Sequence, residues 1–373
     1  MFEVNEFILK RLMGAMERSG LDAIVAYSPD NVAYSAGYIV PSHTLGIRNR
    51  QFAVAINRDG RAAMLLTSNE LQEAQARSHL NDFRPYDEFT DDPMEVLAGA
   101  LRDLGVANGK IGIELDAIPA ERYSRLQSQF KAARWAPAAG TFAHARMVKS
   151  GDELQRLRRA AGAAEAAQAE AHAQVTVGMT ERDLYRILSA GALKHGADKI
   201  LMIQVAAGER SSFSNPVPSD RMLQRGDQVK IDMFVTVDGY LSDTGRTIVL
   251  ASASQMQRDV WSRMQETLLK IEGLIRPGIS TRELWNTFQQ TFAKYSMVPK
   301  IRFLGHGLGL SLHEEPFMSA HSDTPLEAGM VFALEPNYKT DNVAFHLEDN
   351  IIVTADGIEN MTNRFGSDLL VVG

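Results

Sequence analysis

Cysteine is absent from the 373 residues. This removes disulfides, thiolate metal sites and cysteine nucleophiles together, so any metal must be held by His, Asp and Glu. Runs of Lys or Arg are also missing, and the formal net charge is −7 with a pI near 5.8. No nucleic-acid partner is expected of a chain without a basic stripe. No apolar run approaches the roughly 20 residues of a membrane span, and Met1-Phe-Glu-Val-Asn-Glu lacks the basic and apolar regions of a signal peptide. The chain is therefore expected in the cytoplasm, without a membrane partner. It also lacks repeats and low-complexity tracts. What remains is 45% hydrophobic, enough to bury a sizeable core, and long enough for two domains.

Apolar residues recur at helical spacing from Phe7 to Ser19, and Ala23-Ile-Val-Ala-Tyr27 reads as a buried strand. Strands at Phe52–Ile56 and Ala63–Leu66 flank an Asp59-Gly60 turn, Met94–Leu104 reads as a helix and Lys110–Glu114 as a strand. This α/β alternation gives a first domain over residues 1–145. Ser150-Gly-Asp-Glu153 has the spacing of a capping box, and an Ala-rich helix is expected from it to about Gln174. Further helices are expected over Thr180–Lys194, Ser254–Leu274 and Thr281–Tyr295. With an antiparallel hairpin among them, residues 146–373 read as an α+β domain.

That hairpin is Lys230-Ile-Asp-Met-Phe-Val-Thr-Val-Asp-Gly-Tyr-Leu-Ser-Asp-Thr-Gly-Arg-Thr247. Asp238-Gly239 supplies the positive φ angles of a two-residue turn. If Val237 pairs with Tyr240, Asp232 lies opposite Gly245 and Asp243 opposite Phe234, and both acids share one face as diagonal neighbours. Phe234 and Leu241 stand on the same face, so the two carboxylates resist ionisation unless a proton or a cation lies between them. A divalent metal is the simplest compensation.

Other residues read as partners of these acids. Gly305-His306-Gly-Leu-Gly309 sets an imidazole among glycines, where the backbone can approach a ligand closely. His313-Glu-Glu-Pro316 follows. Met330-Val-Phe-Ala-Leu-Glu335 reads as a strand ending in an acid, and Phe345-His346-Leu-Glu348-Asp-Asn-Ile-Ile-Val353 as a strand with an acid near its start. Two Asp, one His and two Glu suit two borderline-hard divalent cations such as manganese, cobalt or zinc. Paired metals lower the pKa of a shared water, the apparatus of hydrolysis near neutral pH.

In order and wording these motifs resemble the pita-bread-fold metallohydrolases, which include Xaa-Pro dipeptidase, Xaa-Pro aminopeptidase, methionine aminopeptidase and creatinase. The resemblance covers nearly the whole chain. It implies a pita-bread catalytic domain behind a smaller creatinase-like N-terminal domain, in which Asn31-Val-Ala-Tyr-Ser-Ala-Gly37 matches a motif usual there. It implies Asp232, Asp243, His306, Glu335 and Glu348 as ligands of two divalent ions, with Asp243 and Glu348 bridging and Glu335 helping to deprotonate the bridging water. His313 matches a histidine that contacts substrate or stabilises the tetrahedral intermediate. The resemblance further implies a homodimer acting on a short peptide or other small molecule by cleaving an amide bond.

Two positions depart from the prolidase pattern. Asn215 stands where prolidase-like members carry a His; it can donate a hydrogen bond to an oxyanion but cannot shuttle a proton. His346 stands where many prolidases carry Arg, and offers a substrate carboxylate a less permanent charge. Both leave open a relative that acts on a non-peptide amide, an amidine or a carbon-sulfur bond. A non-catalytic binding module is the remaining alternative, against which five retained ligands argue. The loop from Pro41 to Arg50, with His43, is expected to reach a pocket, in its own or a partner subunit.

Overall fold

Apolar runs too short for helices become strands of a six-stranded sheet in the first of two units, Met1–Arg146. The computed structural model describes residues 2–47, 49–299, 301–340 and 342–373, with side chains from residue 6 onward. The strands are β1 (Ala23–Ala26), β2 (Ala53–Asn57), β3 (Ala62–Thr67), β4 (Phe83–Tyr86), β5 (Lys110–Ile113) and β6 (Arg134–Pro137), in the order β4-β3-β2-β1-β5-β6. Neighbours β1–β2 and β2–β3 run antiparallel and the rest parallel. Leu97, Ala98 and Leu101 of the helix Pro93–Asp103 close the core against Val25, Ala55, Leu65 and Ile111. Asn31 donates to Glu114 Oε1 at 2.6 Å and accepts from Arg146 at 2.8 Å, tying its motif to β5. His43 rests on the ring of Phe52, 4.9 Å between centroids, and Arg48 of the same loop lies outside the described residues.

The second unit, Met147–Gly373, is α+β and holds eleven strands: β7 (Lys199–Ala207), β8 (Gln228–Val237), β9 (Tyr240–Leu250), β10 (Phe303–Gly307), β11 (Glu314–Ser319), β12 (Val331–Leu334), β13 (Asn337–Lys339), β14 (Ala344–His346), β15 (Asp349–Val353), β16 (Ile358–Asn360) and β17 (Leu370–Val372). They form sheets β17-β9-β8-β7, β11-β10-β12-β15-β16 and β13-β14. The β8–β9 hairpin turns at Asp238 (φ 49°) and Gly239 (φ 82°), and pairs Val237 with Tyr240, Phe234 with Asp243 and Asp232 with Gly245. Every residue of both strands is buried. Ile231, Met233 and Val235 face Ala163, Ala167 and Leu184 of the helices Gly151–Gln174 and Glu181–Lys194. Small residues let these helices approach closely: a Cβ on Gly191 would sit 3.0 Å from Ala167 Cα. Ser150 and Glu153 form the capping box. Across the molecule, Trp261, Leu268, Leu284 and Phe288 of the helices Gln255–Glu272 and Thr281–Lys294 cover Phe332, Leu334 and Ile351.

Two stretches differ from their sequence reading. Phe345 to Val353 is not one strand: β14 pairs with β13, β15 with β12, and the chain changes sheet at Leu347 and Glu348. There the Glu348 N–H donates to the Gly245 carbonyl at 2.9 Å, which carries the acid over to β9. Gly305 to Gly307, for which the sequence pattern named no element, is strand β10, lying between β11 and β12. Its glycines are required by neighbouring strands: a Cβ on Gly305 would meet Ala333 O at 2.3 Å and one on Gly307 would meet Glu315 O at 2.6 Å.

The segment after β7 is anchored by buried Glu181, which accepts from the Ala207 N–H at 2.8 Å, the Ser219 N–H at 2.9 Å, the Ser219 hydroxyl at 2.7 Å and Arg210 Nε at 3.0 Å. Glu181→Ala strands these donors and should cost about 2–4 kcal/mol in urea unfolding. It should also increase hydrogen exchange over residues 208–219.

Candidate metal centre

The acid-bearing face of the hairpin forms the wall of a cavity of about 570 Å³. Period-two alternation brings Lys230, Asp232 and Phe234 of β8 to that face, with Asp243 of β9 beside them. Glu335, at the end of β12, and Glu348, at the change of sheet, reach the same space, as do Asn215, His313 and His346. Buried His306 on β10 lies behind them, with Nε2 3.5 Å from Asp243 Oδ2 and 3.4 Å from Glu335 Oε1. All eight residues expected at the site from sequence thus meet at one place.

The electrostatics call for a cation. Burial, then the charges of Glu348 and Glu335, raises Asp232 to about 7, against the opposing fields of His346 and Lys230. Burial and then Glu348 and Asp232 hold Asp243 well above the ordinary carboxylate range. Burial raises Glu335 to about 7, and burial with Glu335 raises Glu348 to about 8. Asp232 Oδ1, Asp243 Oδ1 and His306 Nε2 are buried without hydrogen-bond partners. The His306 Nδ1–H donates to the Gly307 carbonyl at 3.0 Å, so its Nε2 lone pair points at the acids, the tautomer a metal-binding histidine needs. Ligand atoms of Asp243, His306 and Glu348 all lie within 4.8 Å of one another, as do those of Asp232, His346 and Glu348. The residues present therefore fit divalent ions.

A polar frame holds the acids at this distance. Asn350 accepts from the Asp243 N–H at 3.1 Å and donates to the Asp243 carbonyl. Arg246 donates to the carbonyls of Gly245 at 2.8 Å and Thr362 at 2.6 Å, to the Glu348 carbonyl and to Asp349. The Thr247 hydroxyl accepts from the His346 N–H at 2.8 Å. Sequence reading did not single out Asn350 or Arg246, which act across distant strands and leave no local signal. It also passed over Lys230, although its place two residues before Asp232 puts it on the same strand face. Lys230 donates to the Ser214 carbonyl at 2.9 Å, and Lys339 to that of Ser212 at 3.3 Å. His313 lies open to the cavity, its ring 4.1 Å from that of His306, and burial with His306 lowers its pKa. Asn215 is exposed and accepts from Gln204 at 3.2 Å.

Because these carboxyls titrate higher in the fold than in the unfolded chain, the metal-free fold holds protons that the unfolded chain releases from about pH 4 upward. Their stabilising effect is complete below the unfolded values and is lost as pH rises through 7–8. The urea midpoint of EDTA-treated protein should therefore fall between pH 6 and pH 8.5, and saturating manganese should abolish or reverse that fall. A flat or rising metal-free profile would contradict the placement of these acids.

Comparison with known proteins agrees with this geometry. Residues 155–355 match metallopeptidase family M24, and residues 8–148 match the creatinase/prolidase N-terminal domain. An Xaa-Pro dipeptidase of Pyrococcus horikoshii is 26% identical over 376 residues, covering 96% of this chain and 97% of that relative. The crystal structure of dipeptidase PepE from Mycobacterium ulcerans superimposes with a TM-score of 0.87 at 26% identity, covering 99% of this chain and 98% of that one. An Xaa-Pro dipeptidase structure from Bacillus anthracis gives 0.86 at 26%, covering 99% and 100%. Among the described residues no helix is long and apolar enough to cross a membrane. With its catalytic-domain match lying over the acid cluster and a creatinase-type domain before it, this chain belongs to metallopeptidase family M24.

Proposed function

We propose that this metallopeptidase hydrolyses the peptide bond before proline in short peptides, using two divalent ions, manganese, cobalt or zinc. The observation that carries this reading is the meeting of Asp232, Asp243, Glu335 and Glu348 in one cavity of an M24 chain, with His306 close behind them. Asp232, Asp243, His306, Glu335 and Glu348 would hold the ions, Asp232 at one end of the cluster and His306 with Glu335 at the other. Ions held there supply Lewis acidity and a water of lowered pKa.

The chain's own groups complete the chemistry. Glu335, largely buried beside His306, would accept a proton from the attacking water and return it to the leaving nitrogen. His313 donates to the carbonyl oxygen as negative charge develops there. Asn215 offers a further donor without proton transfer, and His346 a further polar group. Lys230 and Lys339 bring amino groups to the cavity, which suit a substrate with a free carboxylate. By resemblance the protein works as a homodimer in the cytoplasm, the first of which light scattering tests.

Metal-stripped protein assayed on Xaa-Pro dipeptides and longer Xaa-Pro peptides should show turnover that depends on added manganese. Absence of turnover in protein shown to hold two ions would favour the second reading, a non-peptide amide, to which the Asn215 substitution already points. Asp243→Ala should lose bound metal and activity together while keeping its fold, and retained metal stoichiometry would overturn its assignment. His313→Ala should lower kcat by roughly 10²-fold with KM little changed; an effect confined to KM would make His313 a binding group only.

A further inference from the structure

Near His346 the acid cluster has a second imidazole, which the ligand set above leaves unused. Its Nε2 lies 3.1 Å from Glu348 Oε2, and the ligand atoms of Asp232, His346 and Glu348 lie within 4.8 Å of one another, matching the Asp243, His306 and Glu348 group on the other side. Glu348 is common to both. Each group then has one Asp, one His and the shared Glu. Asp232 Oδ1 is buried and has no hydrogen-bond partner.

The backbone makes room for this ring. Gly245, opposite Asp232 in the hairpin, would carry a Cβ only 1.8 Å from His346 Cδ2 and 2.2 Å from its Nε2. Any side chain at 245 would expel the imidazole from its position. The ring is further fixed by backbone bonding: the His346 N–H donates to the Thr247 hydroxyl at 2.8 Å, and that hydroxyl donates to the His346 carbonyl at 3.0 Å. On its outer side, Nδ1 is 2.8 Å from the Asn337 amide nitrogen. That donor leaves the ring proton on Nε2, facing Glu348. Rotating the Asn337 amide presents its oxygen instead, accepts an Nδ1–H and frees the Nε2 lone pair for a cation, the outer partner a metal-ligating histidine requires.

Resting on the two-ion reading above, we propose that His346 Nε2 is a protein ligand of the ion held by Asp232 and Glu348, so that each half of the centre has one nitrogen donor. An imidazole shifts that half toward cobalt, zinc or iron and away from the harder magnesium, because nitrogen donors favour the borderline ions. It also uses a coordination position that water or substrate would otherwise take, so that half would have four protein ligands, as many as the other.

The test uses the full chain, stripped of metal and titrated with cobalt(II) by calorimetry, with nitrogen coordination read by X-ray absorption. Wild type should bind two ions with about one imidazole per ion. His346→Gln keeps a donor to Glu348 but removes the nitrogen ligand. It should bind one ion at least about tenfold more weakly and lower the mean imidazole count to about half. Gly245→Ala should do the same with the histidine still present, by displacing its ring, and gives a second route if the Gln variant does not fold. Unchanged affinity and unchanged nitrogen count in either folded variant would overturn the assignment of His346 and leave the two-ion centre standing. Fewer than two cobalt ions bound by wild type would overturn the two-ion reading and this assignment with it.

Discussion

Mutual repulsion among Asp232, Asp243, Glu335 and Glu348 is the constraint around which the second unit is built. Each is taken largely out of water, and each raises the pKa of at least one neighbour or is raised by one. Left to itself such a cluster would open to solvent, since burying a charge without a partner is among the most costly changes a fold can make. Here opening is resisted from both sides. The hairpin is buried over its whole length, with helices against its other face. Asn350, Arg246 and Thr247 tie β9 to the segment that carries His346 and Glu348. The low dielectric that makes the acids repel one another is also what would make a bound cation hold tightly.

The change of sheet at Leu347 and Glu348 follows from the same constraint. A continuous strand from Phe345 to Val353 would place alternate residues on opposite faces and keep Glu348 in one sheet. Passing between sheets lets His346 stay with β13 while Glu348 bonds the Gly245 carbonyl and Asn350 reaches Asp243. The acid shared by both ligand groups thus sits at a junction where three sheets approach.

Much of this was legible in the sequence because it depends on local rules. Asp-Gly sets the turn, the turn sets the register, and period two puts Asp232 and Asp243 on one face. The capping box at Ser150 and the boundaries of the long helices follow from equally local signals. The change of sheet was not legible, since strand-forming residues on both sides of Glu348 give no sign that the pairing partner changes midway. Nor was the role of the glycines around His306: the pattern names no element, and the crowding that demands them comes from β11 and β12. The tautomer of His306 depends on one backbone carbonyl, Gly307, whose direction only the folded strand fixes.

The lysines that share the cavity with the acids show why the ligand motifs say more about the reaction type than about its substrate. Lys230 and Lys339 donate to the carbonyls of Ser214 and Ser212, in the same segment that holds Asn215. Lys230 in turn feels the fields of Asp232, Glu335 and Glu348, which partly offset the lowering of its pKa by burial. The segment that would read the substrate is therefore anchored by cations that also face the metal-binding acids. Ions in the centre would reduce the pull of those acids on Lys230 and leave more of its positive field for an anionic group on the substrate. A cavity that holds both acids and lysines favours a ligand that is itself polarised, with its carbonyl toward the acids and a carboxylate toward the lysines. A free dipeptide has that arrangement, and a long polypeptide cut in its interior does not.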